Sequence, residues 1–179
     1  DRFLAEQDLE AITLDGEHIS LLLNAGLEMN TEHDNKRLCD GVGLYRTEAW
    51  FMQKGQFPSQ SDQEHWYREV LTCYHPNPVV MRTLDIGGDK VLDYFNISEE
   101  NPFLGWRGIR VTLDHPELFL DQLKAMLKAN IGLGNLKIML PMISGTEEVE
   151  ESLKLLEQAY FELEEQFPEQ AIERPEIGV

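Results

Sequence analysis

The sequence predicts an α/β fold, a parallel sheet covered by helices, and within that class the first half of a (β/α)8 TIM barrel. Three observations lead there. Short apolar runs alternate with longer segments of helical periodicity, the signature of strands joined by crossover helices. Arginines stand where apolar runs end or in Gly-rich stretches, at Arg46, Arg82 and Arg107, and functional side chains gathered at several strand ends suit the C-terminal rim of a barrel. The glycine fingerprint of a dinucleotide-binding, doubly wound sheet is missing, because Gly87-Gly88 runs into Asp89-Lys90 instead of opening a G-x-G-x-x-G helix. A whole barrel takes about 250 residues and eight strands, whereas these 179 residues offer four strands and the opening of a fifth.

In chain order, Arg2–Glu10 reads as the end of a helix leading in from upstream, and a start on Asp1 rather than Met suggests an excised segment. His18–Leu23 is apolar and strand-like, Thr31–Leu38 a modest helix, and Val42–Tyr45 a short buried strand. Asp62–Cys73 is expected to be helical behind a capping box, Ser61-x-x-Glu64, in which each side chain satisfies the other residue's backbone donor. Val79–Arg82, reaching toward Leu84, is the third strand. The next helix opens at Asp114-x-Pro116-Glu117, with Pro116 at the first helical position, and continues on the stripe Leu120, Leu123, Leu127. Leu136–Leu140 is the fourth strand. Val149, Leu153, Leu156, Tyr160 and Leu163 then mark one face of a last helix that ends before Pro168. Ile177-Gly178-Val179 opens the fifth strand.

Composition narrows the function classes. Thirty-three acidic against 15 basic residues give a formal charge of −18, a surface that repels nucleic acid and anionic lipid. Many of the acids lie in the last helix, Glu147 to Glu165, where they are expected to form a solvated face. Cys39 and Cys73 have neither metal nor redox spacing and are expected as buried or half-buried thiols in a reducing compartment. No apolar run is long enough to span a bilayer and no signal-peptide pattern opens the chain, which points to a soluble cytoplasmic protein.

Against that acidic background the placed basic groups stand out. Arg46 and Arg82 each close an apolar strand and are each followed by Thr, so in a parallel sheet both reach the same rim. A guanidinium fork matches phosphate or carboxylate oxygens bidentately. The bland alternative is pairing with a nearby acid such as Glu48 or Asp85. Gly87-Gly88-Asp89-Lys90 is either a surface turn or a flexible loop bringing backbone N–H groups and a lysine to an anion. Glu99 to Arg107 reads as a long loop in which Phe103 and Trp106 pack over the rim while Arg107 faces the site; Arg110, a turn further on, is an equally good salt-bridge partner. The five histidines are dispersed without metal-ligand spacing, and H-E-x-x-H, Walker and G-x-S-x-G motifs are absent.

Five blocks together resemble the phosphoenolpyruvate-binding barrel of Enzyme I of the bacterial phosphotransferase system. They are Asn24-Ala-Gly26, Gly41-Val-Gly-Leu-Tyr-Arg-Thr-Glu48, Arg82-Thr-Leu-Asp-Ile-Gly-Gly-Asp-Lys90, Glu100-Asn-Pro-Phe-Leu-Gly-Trp-Arg107 and Ile138-Met-Leu-Pro-Met142. They cover nearly the whole chain in the family's order and spacing. Gln56-Phe-Pro-Ser-Gln60 and Trp106-Arg-Gly-Ile-Arg110 are similar to the nitrogen-regulatory branch, whose members carry a GAF-type sensory domain at the N-terminus. The resemblance implies a PEP-utilising barrel, with residues 1–12 a linker helix from an upstream domain and 13–179 the N-terminal half of the barrel.

It also implies that the barrel binds phosphoenolpyruvate with Mg²⁺, that the phosphoryl group moves to a histidine of an upstream domain, and that it passes on to a small phosphocarrier protein. Arg46 and Arg82 are assigned by resemblance to the substrate's phosphate and carboxylate, Arg107 to a further arginine of the site, and Asp85, Gly88 and Lys90 to the same block. The family's Mg²⁺ ligands, its enolate-protonating cysteine and its phosphorylated histidine match nothing here: neither cysteine and none of the five histidines corresponds. No catalytic or metal-binding residue is therefore expected in this chain, which alone should be inactive. Family members dimerise through this barrel, which makes a homodimer an expectation for the whole protein. Two other readings stay open on the residues, a dikinase or synthase barrel acting on the same substrate and a non-catalytic metabolite-binding regulatory module.

Overall fold

The computed structural model describes residues 10–26, 39–53, 55–87 and 105–179. Among these residues, five strands form one parallel sheet in the order of the chain: β1 (Leu23–Ala25), β2 (Val42–Arg46), β3 (Val79–Arg82), β4 (Leu136–Met139) and β5 (Glu176–Gly178). The order does not reverse anywhere, whereas a doubly wound sheet has a switch point at which it does. Between the strands run α1 (Glu48–Gln53), α2 (Gln60–Tyr74), α3 (Ile109–Asp114), α4 (Pro116–Asn130) and α5 (Thr146–Gln166).

Strand alternation decides which side chains meet the helices. Val79 and Met81 of β3 and Leu136 and Ile138 of β4 are fully or almost fully buried in one core with Tyr67 and Leu71 of α2, Phe119, Leu123 and Met126 of α4, and Leu156, Tyr160 and Leu163 of α5. In β2 the core residues are Val42 and Tyr45, three positions apart. The register with β3 slips between these two, and an extra residue of this kind returns the second side chain to the face of the first. The alternate positions Leu44, Val80, Arg82, Lys137 and Met139 are only half-buried, and Arg46 is exposed.

Several expectations are corrected. The first strand is Leu23–Ala25; the apolar run before it has Leu21 and Leu22 exposed, and His18 bridges instead to Ile12 in a small antiparallel turn. Helix α2 is capped by Ser59, not Ser61: the Ser59 hydroxyl accepts from Asp62 N–H at 3.1 Å, and Asp62 accepts in return from Ser59 N–H. The inner face of α5 runs through Ser152, Leu156, Ala159, Tyr160 and Leu163, leaving Leu153 exposed. Helix α4 starts at Pro116 as the sequence indicates. The expected helices over Arg2–Glu10, apart from Glu10 itself, and over Thr31–Leu38 lie outside the described residues. No helix among the described residues is long and apolar enough to cross a membrane. Cys39 and Cys73 are half-buried and form no disulfide.

Candidate functional site: an arginine cluster at the strand ends

The C-terminal ends of β2 and β3 place Arg46 and Arg82 directly opposite each other in the parallel ladder, with Met139 of β4 next in line. Neighbouring strands lie about 4.8 Å apart, so the two arginine backbones stand side by side at the rim. Past the ladder, Thr47 donates its hydroxyl proton to the Arg82 carbonyl at 2.8 Å and ties the two ends together.

The two arginines are held differently. Arg82 is largely buried; its Nη2 donates to Glu48 Oε1, and Nη1 lies 3.2 Å from Asp85 Oδ2. Its Nε is buried without a hydrogen-bond partner among the described residues. Glu48 comes from the first turn of α1, and both it and Asp85 are almost wholly buried. Arg107 grips Asp85 bidentately from the other side, Nε to Oδ1 at 3.1 Å and Nη2 to Oδ2 at 3.2 Å. Asp85 thus joins Arg82 to Arg107. Arg46 has no carboxylate partner among the described residues, and its guanidinium lies alongside Gly26, where a side-chain Cβ would sit 3.5 Å from Nη2. Among these five groups three positive charges face two negative ones, an excess of positive charge on a chain of formal charge −18.

Backbone shape lets Arg107 approach. Gly87 has φ +114°, and a Cβ there would lie 2.7 Å from the Trp106 carbonyl oxygen. Gly108 has φ +59° and packs against Met142 and Asp85. Arg110, left open between site and salt bridge, makes the salt bridge: its Nη1 donates to Gly105 O at 2.6 Å, and its Nε to Glu148 at 3.3 Å. Trp106 donates its indole N–H to Asp114. Gly88, Lys90 and Phe103 lie outside the described residues.

A buried polar group behind the arginines has no counterpart in the sequence reading. Gln122 of α4 accepts from Leu84 N–H at 2.9 Å and donates to Thr47 Oγ1 at 3.2 Å and to the Tyr67 hydroxyl at 3.0 Å. Burial pushes the Tyr67 phenol far up, against the opposing hydrogen bonds from Gln122 and Thr47, so it remains an O–H donor. The available signal was an amide on the inner face of α4, beside Phe119 and Leu123.

Among the described residues no three Asp, Glu, His or Cys side chains gather as a metal site. The acids nearest the arginines, Glu48 and Asp85, are engaged by Arg82 and Arg107. These residues do not by themselves fit a divalent cation. The geometry suits a compact anion with two charged ends.

Comparison with known proteins bears on which anion. Residues 2–179 match the family model described as PEP-utilising enzyme, PEP-binding domain. Proteins called phosphoenolpyruvate-dependent phosphotransferase system, from Salmonella typhimurium and Escherichia coli, are each 49% identical over 98% of this chain and 24% of their own length. A phosphoenolpyruvate-protein phosphotransferase from Staphylococcus carnosus is 43% identical over 85% of this chain and 26% of its own length. The chain spans about a quarter of the length of these curated relatives.

Proposed function

Because the chain belongs to the PEP-binding domain family of PEP-utilising enzymes, we propose that it forms part of the phosphoenolpyruvate site of a phosphoenolpyruvate-protein phosphotransferase. The observation that carries this is the in-register pair Arg46 and Arg82, with Arg107 joined to it through Asp85. Phosphoenolpyruvate is small and carries a phosphate and a carboxylate as two separate anionic groups on one carbon. Arg46 and Arg82 take these two groups, and Arg107 adds a third fixed cation. Lys90 and Gly88, which follow β3 in the sequence, contribute as well. Asp85 acts through the arginines it holds, since a carboxylate in direct contact would repel the substrate.

Fixed cations suit this chemistry because phosphoryl transfer shifts charge onto oxygens already held in place. The phosphoryl acceptor is a histidine on an upstream domain, from which the group passes to a phosphocarrier protein. The whole protein uses Mg²⁺, held by ligands outside this chain. The five strands form the first part of a (β/α)8 wall, with residues 1–12 leading in from the upstream domain. Support for the barrel comes from the unreversed strand order and from a sheet whose second face carries Leu44, Val80, Arg82, Lys137 and Met139, with no comparable core among the described residues. A cytoplasmic homodimer is the form expected of the whole protein. The motifs at Gln56–Gln60 and Trp106–Arg110 support the nitrogen-regulatory branch.

The test is phosphoenolpyruvate-dependent phosphorylation of the full-length protein carrying Arg46→Ala. A loss of at least about a hundredfold is expected, as for removal of one preorganised charge-stabilising donor. Phosphorylation at the wild-type rate would remove Arg46 from the site.

A further inference from the structure

We propose that Gln122 is a positioning residue whose buried amide sets the separation between Arg46 and Arg82. The proposal rests on the reading of this site as a phosphoenolpyruvate cradle. Gln122 is 2% exposed, and its two ends hold the two arginine-bearing turns. Its carbonyl takes the N–H of Leu84, two residues past Arg82, and its amide nitrogen holds the hydroxyl of Thr47, the residue after Arg46. An amide is planar and rigid, so both turns are fixed to one small body on α4.

The strand ladder pairs the two residues but does not hold the turns that follow them. The register of β2 with β3 slips between Val42 and Tyr45, and the pairing ends at Arg46 and Arg82 themselves. Past this last pair, the Thr47 and Gln122 hydrogen bonds hold the two turns to each other.

The hydrogen bonds also run in one direction. Gln122 gives one N–H to Thr47 and the other to Tyr67; Thr47 passes its proton to the Arg82 carbonyl at 2.8 Å, and Tyr67 donates to Gln63 Oε1 at 3.2 Å. Gln63 in turn donates to the Pro58 carbonyl at 3.1 Å. Reversing any hydroxyl would leave a buried donor facing a donor. A network satisfied in only one sense rigidifies what it touches, and here it touches the turns after both arginines.

Positioning of two charges should matter to a ligand that must meet both and little to one that needs a single contact. The experiment therefore compares phosphoenolpyruvate with inorganic phosphate on the full-length protein, wild type and Gln122→Met, a variant of similar shape without the hydrogen bonds. Affinity for phosphoenolpyruvate should fall by about tenfold or more, the worth of one well-aligned hydrogen bond to a charged group, while affinity for phosphate stays nearly unchanged.

Asn135→Leu serves as the structural control. It removes a buried amide that donates to the Leu71 and Asn77 carbonyls at the opposite ends of the strands, and it should lower the melting temperature while leaving both affinities alone. Should Gln122→Met not fold, Thr47→Val carries the same signature, with Thr47→Ser restoring phosphoenolpyruvate binding. Equal losses for the two ligands, or no loss for either, overturn the positioning role. Wild-type protein that ignores phosphoenolpyruvate but binds phosphate overturns instead the function on which the role rests.

Discussion

Arg46 and Arg82 are partners in register on adjacent strands, yet among the described residues only Arg82 is held by carboxylates, those of Glu48 and Asp85. The difference follows from depth. Arg82 keeps 14% of its side-chain surface and faces acids with 4% and 2% of theirs, so their charges compensate each other out of water. Arg46 stands in solvent, where its charge needs no partner in the absence of a ligand.

The two positions should therefore respond oppositely in stability. Arg82→Ala takes a cation from two buried carboxylates, of which Asp85 keeps its contact with Arg107, and is expected to cost about 3 kcal/mol, the usual scale for breaking a buried pair by removing one partner. Arg46→Ala should stay within about 0.5 kcal/mol, as exposed substitutions do. Thermal melts without ligand measure both. A ligand-free Arg46→Ala protein destabilised as much as Arg82→Ala would show that Arg46, too, is a structural cation.

Gly87→Ala tests how Arg107 reaches Asp85. The backbone there has φ +114°, and an added Cβ would sit 2.7 Å from the Trp106 carbonyl and 3.0 Å from the Arg107 Cα. Both contacts are with backbone and cannot be relieved by a side-chain rotation. Strain of this kind costs about 1–3 kcal/mol, and its natural release moves the 106–107 segment outward. A lowered melting temperature with loss of the phosphoenolpyruvate-induced shift is expected. If stability falls but the ligand shift survives intact, Arg107 does not depend on this approach.

How much of this could be read from the sequence depended on whether the deciding contact was local. The ends of β2 and β3 were legible because an arginine after an apolar run marks the point where the chain leaves the core. The start of α4 was legible because Pro116 fits the first helical position. The cap of α2 was misread as Ser61-x-x-Glu64; Ser59 and Asp62 form it instead, two residues earlier, with the Gln63 amide reaching back to Pro58. On α5 the apolar pattern suggested Val149 and Leu153, but the face packed on its neighbours carries Ser152 and Ala159, whose small side chains allow close approach. The pairing of Arg82 with Glu48 was available as an alternative. Its linkage to Arg107 through Asp85 was not, because 22 residues separate that acid from that arginine.

The start of α5 supplies a pH-dependent test connected to the same rim. Burial tends to raise the Glu148 carboxyl, but hydrogen bonds from the Ser144 backbone and hydroxyl, from Arg110 and from the Gly145 N–H outweigh it and lower its pKa below the ordinary 4.5. Arg110 at the same time holds the Gly105 carbonyl, so this carboxylate also anchors the segment leading to Arg107. With a folded pKa below the unfolded one, the unfolded chain binds more protons as pH falls past 4.5. The contribution of Glu148 is thus complete above the unfolded value and is lost as pH falls through the lowered folded value. Glu148→Gln should cost about 1 kcal/mol near neutrality, the scale of a helix cap. The gap between its melting temperature and that of wild type should then close in acid below that window. A gap that stayed constant from neutrality into strong acid would mean that shape, and not the ionised carboxylate, secures the helix start and the Arg110 contact.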